Sequence, residues 1–272
     1  MSSAAPFPYR LIATDLDGTL LRSDGSISGR TREALRAAAG RGAAHIVVTG
    51  RAVPWVRHVL DDLEYDGLAV CGQGAQLYDA RAHRLLTTVT LDRAVARAAL
   101  EKIEADTGPL AVAASMDGLQ GETLFERRFR TPAGVLGATF VSERAELWNA
   151  PLGRMYIQHP TLTDDELTAA ATAAVGPLLS VVLAGEDTVE LLPAGLSKAT
   201  GLSLAARRLE VPGSAAIAFG DMPNDLPMFR WAGRSVAMAN AHADVRAAAD
   251  EVTASNDEDG VAVVVERLLL GG

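Results

Sequence analysis

Short apolar runs alternate with longer stretches of helical period at both ends of the chain, and this alternation limits the possible folds more than any other feature. "RLIAT", "AAHIVV", "LAVC", "AAIAFG" and "RSVAM" are each too short to be a helix and too evenly apolar for a strand that is wet on one face. The segments between them have helix ends. Ser28 stands before "TREALRAAA" as an N-cap, "GRG" permits a left-handed stop, and Pro54 occupies a first turn, where its missing N–H costs little. This pattern predicts an α/β fold: a Rossmann-like parallel sheet with helices on both faces.

The alternation breaks in the middle. From about Ala82 the sequence offers a strand ("LLTTV"), a helix ("LDRAVARAALEKIEAD") and a less regular stretch to Asn149. Another strand follows ("RMYIQH"), then a helix opened by a Thr163–Glu166 capping box, then two strand-like runs, "LLSVVLAG" and "DTVELL". The expected organisation is one core made from residues 1–81 and 187–272, interrupted by an inserted α+β domain over 82–186.

Bulk properties narrow the function. The 272 residues are 49% apolar, 22% charged and 5% aromatic, enough for a sizeable core rich in small side chains. A net charge of −9 argues against nucleic acid or an anionic membrane as partner, though a few local cations can still hold a small anion. Cys71 is the single cysteine, so no internal disulfide forms. "MSSAAPFPYR" lacks the pattern of a signal peptide, and Gly176-Pro177 splits the one stretch that approaches a membrane span. A cytoplasmic protein, monomeric or homodimeric, is expected.

In an open parallel sheet, ligands sit beyond the carboxyl ends of the strands. Asp15 and Asp17 follow the first strand, Thr49 and Gly50 the second, and Asp221 and Asp225 follow "AAIAFG"; Lys198 opens the helix before that last strand. Four carboxylates in one crevice require a counter-charge, and donors that are all oxygen select Mg²⁺ over zinc. Mg²⁺ keeps room in its shell for a phosphoryl group. A carboxylate can attack phosphorus without a general base, and a second carboxyl can give a proton to the leaving oxygen. The Thr49 hydroxyl, the Gly50 N–H and the N–H groups of the turn at Gly18 can hold phosphoryl oxygens, with Lys198 adding positive charge. Each piece alone has a plainer reading: a solvated turn for "DLDG", loop punctuation for "TGR", a surface lysine, and a helix cap for Asn224 or Asp225.

Taken together, "DLDGTL", "TGR", "GLSKAT" and "GDMPND" resemble the four motifs of the haloacid dehalogenase superfamily, in its Cof-type subfamily IIB, over nearly the whole chain. The resemblance implies a phosphatase with an inserted cap domain of type C2. It implies Asp15 as nucleophile, Asp17 as acid/base and Thr49 and Lys198 as catalytic groups. Gly18, Gly50 and Asn224 join Thr49 and Lys198 in binding substrate. Mg²⁺ is implied at Asp15, the Asp17 carbonyl and Asp221, with Asp225 ordering its waters. "MAN" at Met238–Asn240 and "SNDEDGVA" also look like family segments, although Asn256 or Asp257 reads more simply as the cap of the last helix. Gln73 stands where the family commonly has asparagine, and Ala199 where it has glycine.

Dehalogenases of that superfamily lack an equivalent of Asp17, so its presence favours phosphate esters. The expected substrate is a small phosphorylated metabolite, a sugar phosphate before pyridoxal phosphate or a nucleotide. The cap would contact the leaving group, with Arg127, Arg128, Arg130, Arg154 and His159 as candidate contacts. The alternatives are a phosphomutase or phosphotransferase with the same motifs, and a catalytically silent metabolite-binding module.

Overall fold

The computed structural model describes residues 5–131, 138–185 and 187–271. The chain divides into two compact units, Met1–Arg84 with Lys198–Gly272, and Leu85–Ser197. The expected boundary at Glu186 and the first four residues of the N-terminal segment lie outside the described residues.

The first unit begins with β1 (Leu11–Thr14), α1 (Gly29–Gly40), β2 (Ala44–Val48), α2 (Val53–Asp62), β3 (Leu68–Cys71) and β4 (Gln76–Asp79). Ser28 caps α1 by accepting the Thr31 N–H at 3.0 Å. The chain passes to the second unit in β5 (Arg84–Thr88), which is followed by α3 (Arg93–Thr107), β6 (Ala111–Met116), β7 (Thr123–Glu126) and β8 (Thr139–Val141). Then come β9 (Leu152–Gln158), α4 (Asp164–Val175), β10 (Leu179–Gly185) and β11 (Thr188–Pro193). The capping box of α4 forms as the sequence predicts, with Thr163 and Glu166 bonding reciprocally. Back in the first unit are α5 (Lys198–Arg208), β12 (Ala216–Gly220), α6 (Leu226–Trp231), β13 (Arg234–Ala237), α7 (Ala243–Ala248), β14 (Glu251–Val252) and α8 (Gly260–Leu269).

Within the first unit the sheet runs β14-β13-β12-β1-β2-β3-β4, parallel from β14 to β3 and antiparallel at β4. Every residue of β1 and β12 is buried, so both faces of the sheet centre are covered. α1 packs with α8, while α5 lies over β2, β3 and β4 and packs with α6. The predicted core is therefore present, with β4 and β14 added beyond the predicted strands.

The second unit has its own sheet, β10-β11-β9-β6-β7-β8, antiparallel except for the β7–β8 pair. Its return point differs from the expected residue 187. Thr188–Pro193 is hydrogen-bonded between β10 and β9, so the hairpin belongs to this second sheet. The stretch read as irregular holds β6, β7 and β8. β6, "AVAASM", is buried at every position, which erases the alternation that would mark a half-buried strand.

One glycine fixes how closely α5 approaches the sheet. A Cβ on Gly201 would stand 2.7 Å from the Gly74 Cα and 2.5 Å from the Val70 side chain. Alanine there gains about 1 kcal/mol of helix propensity, but overpacking costs about 1–3 kcal/mol. Gly201→Ala is expected to lower stability by up to about 2 kcal/mol on those same terms, seen as a lower urea midpoint. An unchanged midpoint would show that the helix has slack at this contact.

Candidate active site

The parallel strands deliver their carboxyl ends to one edge, and Asp15, Lys198, Asp221 and Asp225 meet there. Asp15 continues β1 and is zipped to β12 by its N–H, which donates to the Phe219 carbonyl at 3.0 Å. Lys198, the first residue of α5, donates from Nζ to Asp15 Oδ1 and Asp225 Oδ1, each at 2.6 Å. All three side chains are buried, Lys198 at 2% exposure. The other oxygen of Asp225 accepts the N–H groups of Asp221 (2.9 Å) and Met222 (3.0 Å), which folds the loop after β12 around it. That loop packs so closely that a Cβ on Gly220 would stand 2.6 Å from the Asp225 carboxyl. Asp221 accepts from the Thr19 hydroxyl at 2.8 Å.

Asp15, Asp221 and Asp225 present oxygens within 4.8 Å of one another. Three carboxylates face one ammonium, leaving two negative charges in excess when all are ionised. Burial pushes the Asp15 carboxyl well up, against the pull of Lys198, and the charges of Asp225, Asp221 and Asp17 add to the rise. Burial and then Asp225 raise Asp221 from 3.8 to about 6. Burial opposes the charge on Lys198, but its two carboxylate partners outweigh it and hold the ammonium above its ordinary range. The donor set is all oxygen, buried and two charges too negative, which fits a hard divalent cation. Gly18, at φ +72°, leaves space beside Asp221 that any side chain would fill.

Asp17 does not join this cluster. Its carboxyl is exposed and paired with Arg51, whose Nε donates to Oδ2 at 2.9 Å and whose Nη2 donates to Oδ1. The expected four-carboxylate crevice is therefore a triad, and the side chain of Asp17 is not among the clustered donors. Arg51 went unassigned in the sequence, although it directly follows Thr49-Gly50 in the "TGR" loop. Thr49 is buried in that loop, and its hydroxyl accepts the Arg51 N–H at 3.0 Å. Asn224 is buried and donates to Gln73 Oε1 at 3.1 Å. A cavity of about 430 Å³ opens beside Asp17, lined among others by Gly18, Arg22, Arg51, Asn240 and Asn256.

The expected cap of the last helix is a correction. Asp259 holds the N-cap position of α8, without a side-chain cap bond. Asn256 and Asp257 instead reach the opposite end of the chain. Asn256 Nδ2 donates to the Leu21 carbonyl (2.9 Å), Asp257 accepts the N–H (2.8 Å) and hydroxyl (2.7 Å) of Ser23, and Asp259 pairs with Arg22. Asn240 Nδ2 donates to the Gly18 carbonyl at 2.8 Å and its oxygen accepts the Asn256 N–H at 3.0 Å. These side chains hold the turn that carries Asp17.

In the second unit, the candidate cap contacts separate by environment. Arg130 pairs with Asp187 (2.6 Å), Arg128 with Glu126 (3.2 Å), and Arg154 is buried on Glu190 (3.0 Å) with its guanidinium over Tyr156. Arg127 is exposed. His159 is a structural staple: its Nε2 donates to the Thr107 carbonyl (3.0 Å) and its Nδ1 accepts the Leu162 N–H (2.9 Å).

Comparison with known proteins gives the family of the chain. The sequence model for haloacid dehalogenase-like hydrolases matches residues 12–265. Phosphatase YwpJ of Bacillus subtilis is 30% identical, the alignment covering 96% of this chain and 100% of that protein. The 5-amino-6-(5-phospho-D-ribitylamino)uracil phosphatase YwtE of the same organism is 29% identical, over 96% and 99%. A solved structure of a haloacid dehalogenase-like hydrolase from B. subtilis superposes with a TM-score of 0.80 at 25% identity, over 95% and 99% of the two chains. The chain belongs to the haloacid dehalogenase-like hydrolases. Within that family it is an enzyme of the phosphatase class.

The raised Asp221 carboxyl gives a pH signature. The folded protein keeps that proton up to about pH 6, whereas in the unfolded chain it leaves near 3.8. Between those values the unfolded state binds fewer protons, so this group's contribution to stability falls as pH rises. In EDTA, the melting temperature of the native protein is expected to fall relative to Asp221→Asn as pH rises through this window. Parallel curves for the two proteins would rule out the shift.

Proposed function

We propose that the chain is a Mg²⁺-dependent phosphatase that hydrolyses a small phosphorylated metabolite, of the sugar-phosphate class, through a phospho-aspartyl intermediate on Asp15. The observation that carries this reading is the buried Lys198 ammonium between Asp15 and Asp225, with Asp221 beside them and Asp17 held apart on Arg51. Asp15 and Asp221, with the Asp17 carbonyl, are the groups that would hold Mg²⁺. Both oxygens of Asp225 already accept protein donors, so it anchors Lys198 and the loop. When bound, the cation cancels the excess negative charge and lets an anionic phosphoryl group approach Asp15.

An Asp15 oxygen attacks phosphorus as the bond from phosphorus to the leaving oxygen breaks. Asp17 gives its proton to that oxygen, and the alcohol departs. Asp17, now a carboxylate, takes a proton from water. The water oxygen attacks phosphorus, the Asp15–phosphorus bond breaks, and inorganic phosphate leaves. Thr49, the Gly50 N–H and Lys198 hold the phosphoryl oxygens throughout. Arg51 pairs with Asp17 in the ionised form that the second half requires.

The cavity beside Asp17 gives a leaving group room at the acid's side of the site. YwtE acts, by its name, on a phosphorylated ribityl compound, which supports a polyhydroxylated phosphate ester as substrate here. We assign leaving-group recognition to the second unit. A cytoplasmic setting accords with the single, buried Cys71.

A panel of phosphorylated metabolites assayed for phosphate release tests this reading. Release is expected with Mg²⁺, lost in EDTA, and reduced to background in Asp15→Asn. Asp17→Asn is expected to lower kcat by about 10²–10⁴-fold, the range for a positioned acid/base. Turnover that survives Asp15→Asn overturns the nucleophile assignment, and transfer to a second hydroxyl without free phosphate points to a mutase.

A further inference from the structure

The loop after β3 holds a buried amide for which the roles above have no use. Gln73 lies between Gly72 and Gly74 with φ +59°, a conformation that is uncommon for a side-chain-bearing residue. It is 1% exposed. Its N–H donates to the Thr49 carbonyl at 3.2 Å, and Gly72 N–H donates to the Arg51 carbonyl at 2.8 Å, so this loop is zipped to the "TGR" loop. Its Oε1 accepts from Asn224, which lies after β12. Between β3 and β12 stand β1 and β2, so the amide pair spans three strand spacings, roughly 14 Å, across the edge that carries Asp15 and Thr49.

That pair is only half satisfied. Gln73 Nε2 and Asn224 Oδ1 are buried and have no hydrogen-bond partner among the described residues. Exchanging nitrogen and oxygen in both amides changes which residue offers the N–H, but one N–H₂ group and one carbonyl always remain over. The Nε2 stands over Gly50, 2.7 Å from where a Cβ there would be. A buried donor without a partner is costly, and it persists where something absent from the free protein completes it.

We propose that the Gln73–Asn224 amide pair is part of the phosphoryl-binding wall, and that its spare N–H donates to a phosphoryl oxygen beside the Gly50 N–H. This rests on the phosphatase reading and adds Gln73 to its substrate-binding groups. Glycine at position 50 is then required for the space that the Gln73 amide occupies.

Calorimetric titration of inorganic phosphate into the Mg²⁺-loaded protein tests the proposal without needing the natural substrate. Native protein is expected to bind phosphate. Gln73→Glu, which keeps the shape but loses the donor, and Gln73→Met, which keeps the length without charge, are expected to bind it about ten- to a hundred-fold more weakly, the factor carried by a hydrogen bond to a charged group. Melting temperatures without phosphate separate this loss from damage to the fold. Weaker phosphate binding with an unchanged melting temperature in Gln73→Met supports the proposal. Unchanged phosphate affinity in both variants, whatever their melting temperatures, overturns it and leaves the phosphatase reading standing. Failure of the native Mg²⁺-loaded protein to bind phosphate overturns both.

Discussion

The Lys198 ammonium, buried between two carboxylates, is the interaction on which the rest of this site depends. Removing one partner from such a group leaves an uncompensated buried charge, which costs several kcal/mol. Each element of the core therefore serves to keep the three groups together. β1 presents Asp15 because it is paired on both sides and has no freedom to slide. The loop after β12 presents Asp225 because two backbone N–H groups hold its second oxygen. α5 presents Lys198 at the right depth because Gly201 lets the helix settle on β3. The arrangement is still two charges too negative when all three carboxylates are ionised, which suits it to a hard divalent cation.

The fold was legible where strands were short, apolar and punctuated: β1, β2, β3, β12 and β13 stand within a residue of where their runs of Ile, Val and Ala place them. It was illegible where alanine replaced the β-branched residues. β6 is buried on every side, so neither period shows, and β14 is only two residues long. Asp15, Asp221 and Asp225 were readable as a set because strand ends in a parallel sheet share an edge. The burial of Lys198 was not: a lysine opening a helix looks solvated until partners at positions 15 and 225 are known to face it.

Arg51, Asn240, Asn256 and Asp257 carry the same lesson. Each acts on a residue far away in the chain, and for Asn256 and Asp257 the local sequence supplies a sufficient but mistaken reason for their presence. Asn256 and Asp257 precede a helix and so resemble caps, yet their partners are Leu21 and Ser23. Arg51 follows a glycine in a loop and resembles a surface residue, yet it separates Asp17 from the triad. The repulsion between Asp15 and Asp17 that the sequence suggests is relieved by geometry: one carboxyl turns into the core toward lysine, the other outward toward arginine.

The stitching of the Asp17 turn to residues 240 and 256–259 has a consequence for biosynthesis. The second unit is continuous from Leu85 to Ser197 and can form its sheet from neighbouring segments as soon as they leave the ribosome. β1 finds one sheet neighbour nearby in β2, but its other is β12 and its turn is fastened from beyond β13 and β14. Such distant contacts form last, since a long stretch of chain must first be closed. Asp15 therefore leaves the ribosome 183 residues ahead of the lysine that holds it, and its site is set in place only after the later strands of the core have formed.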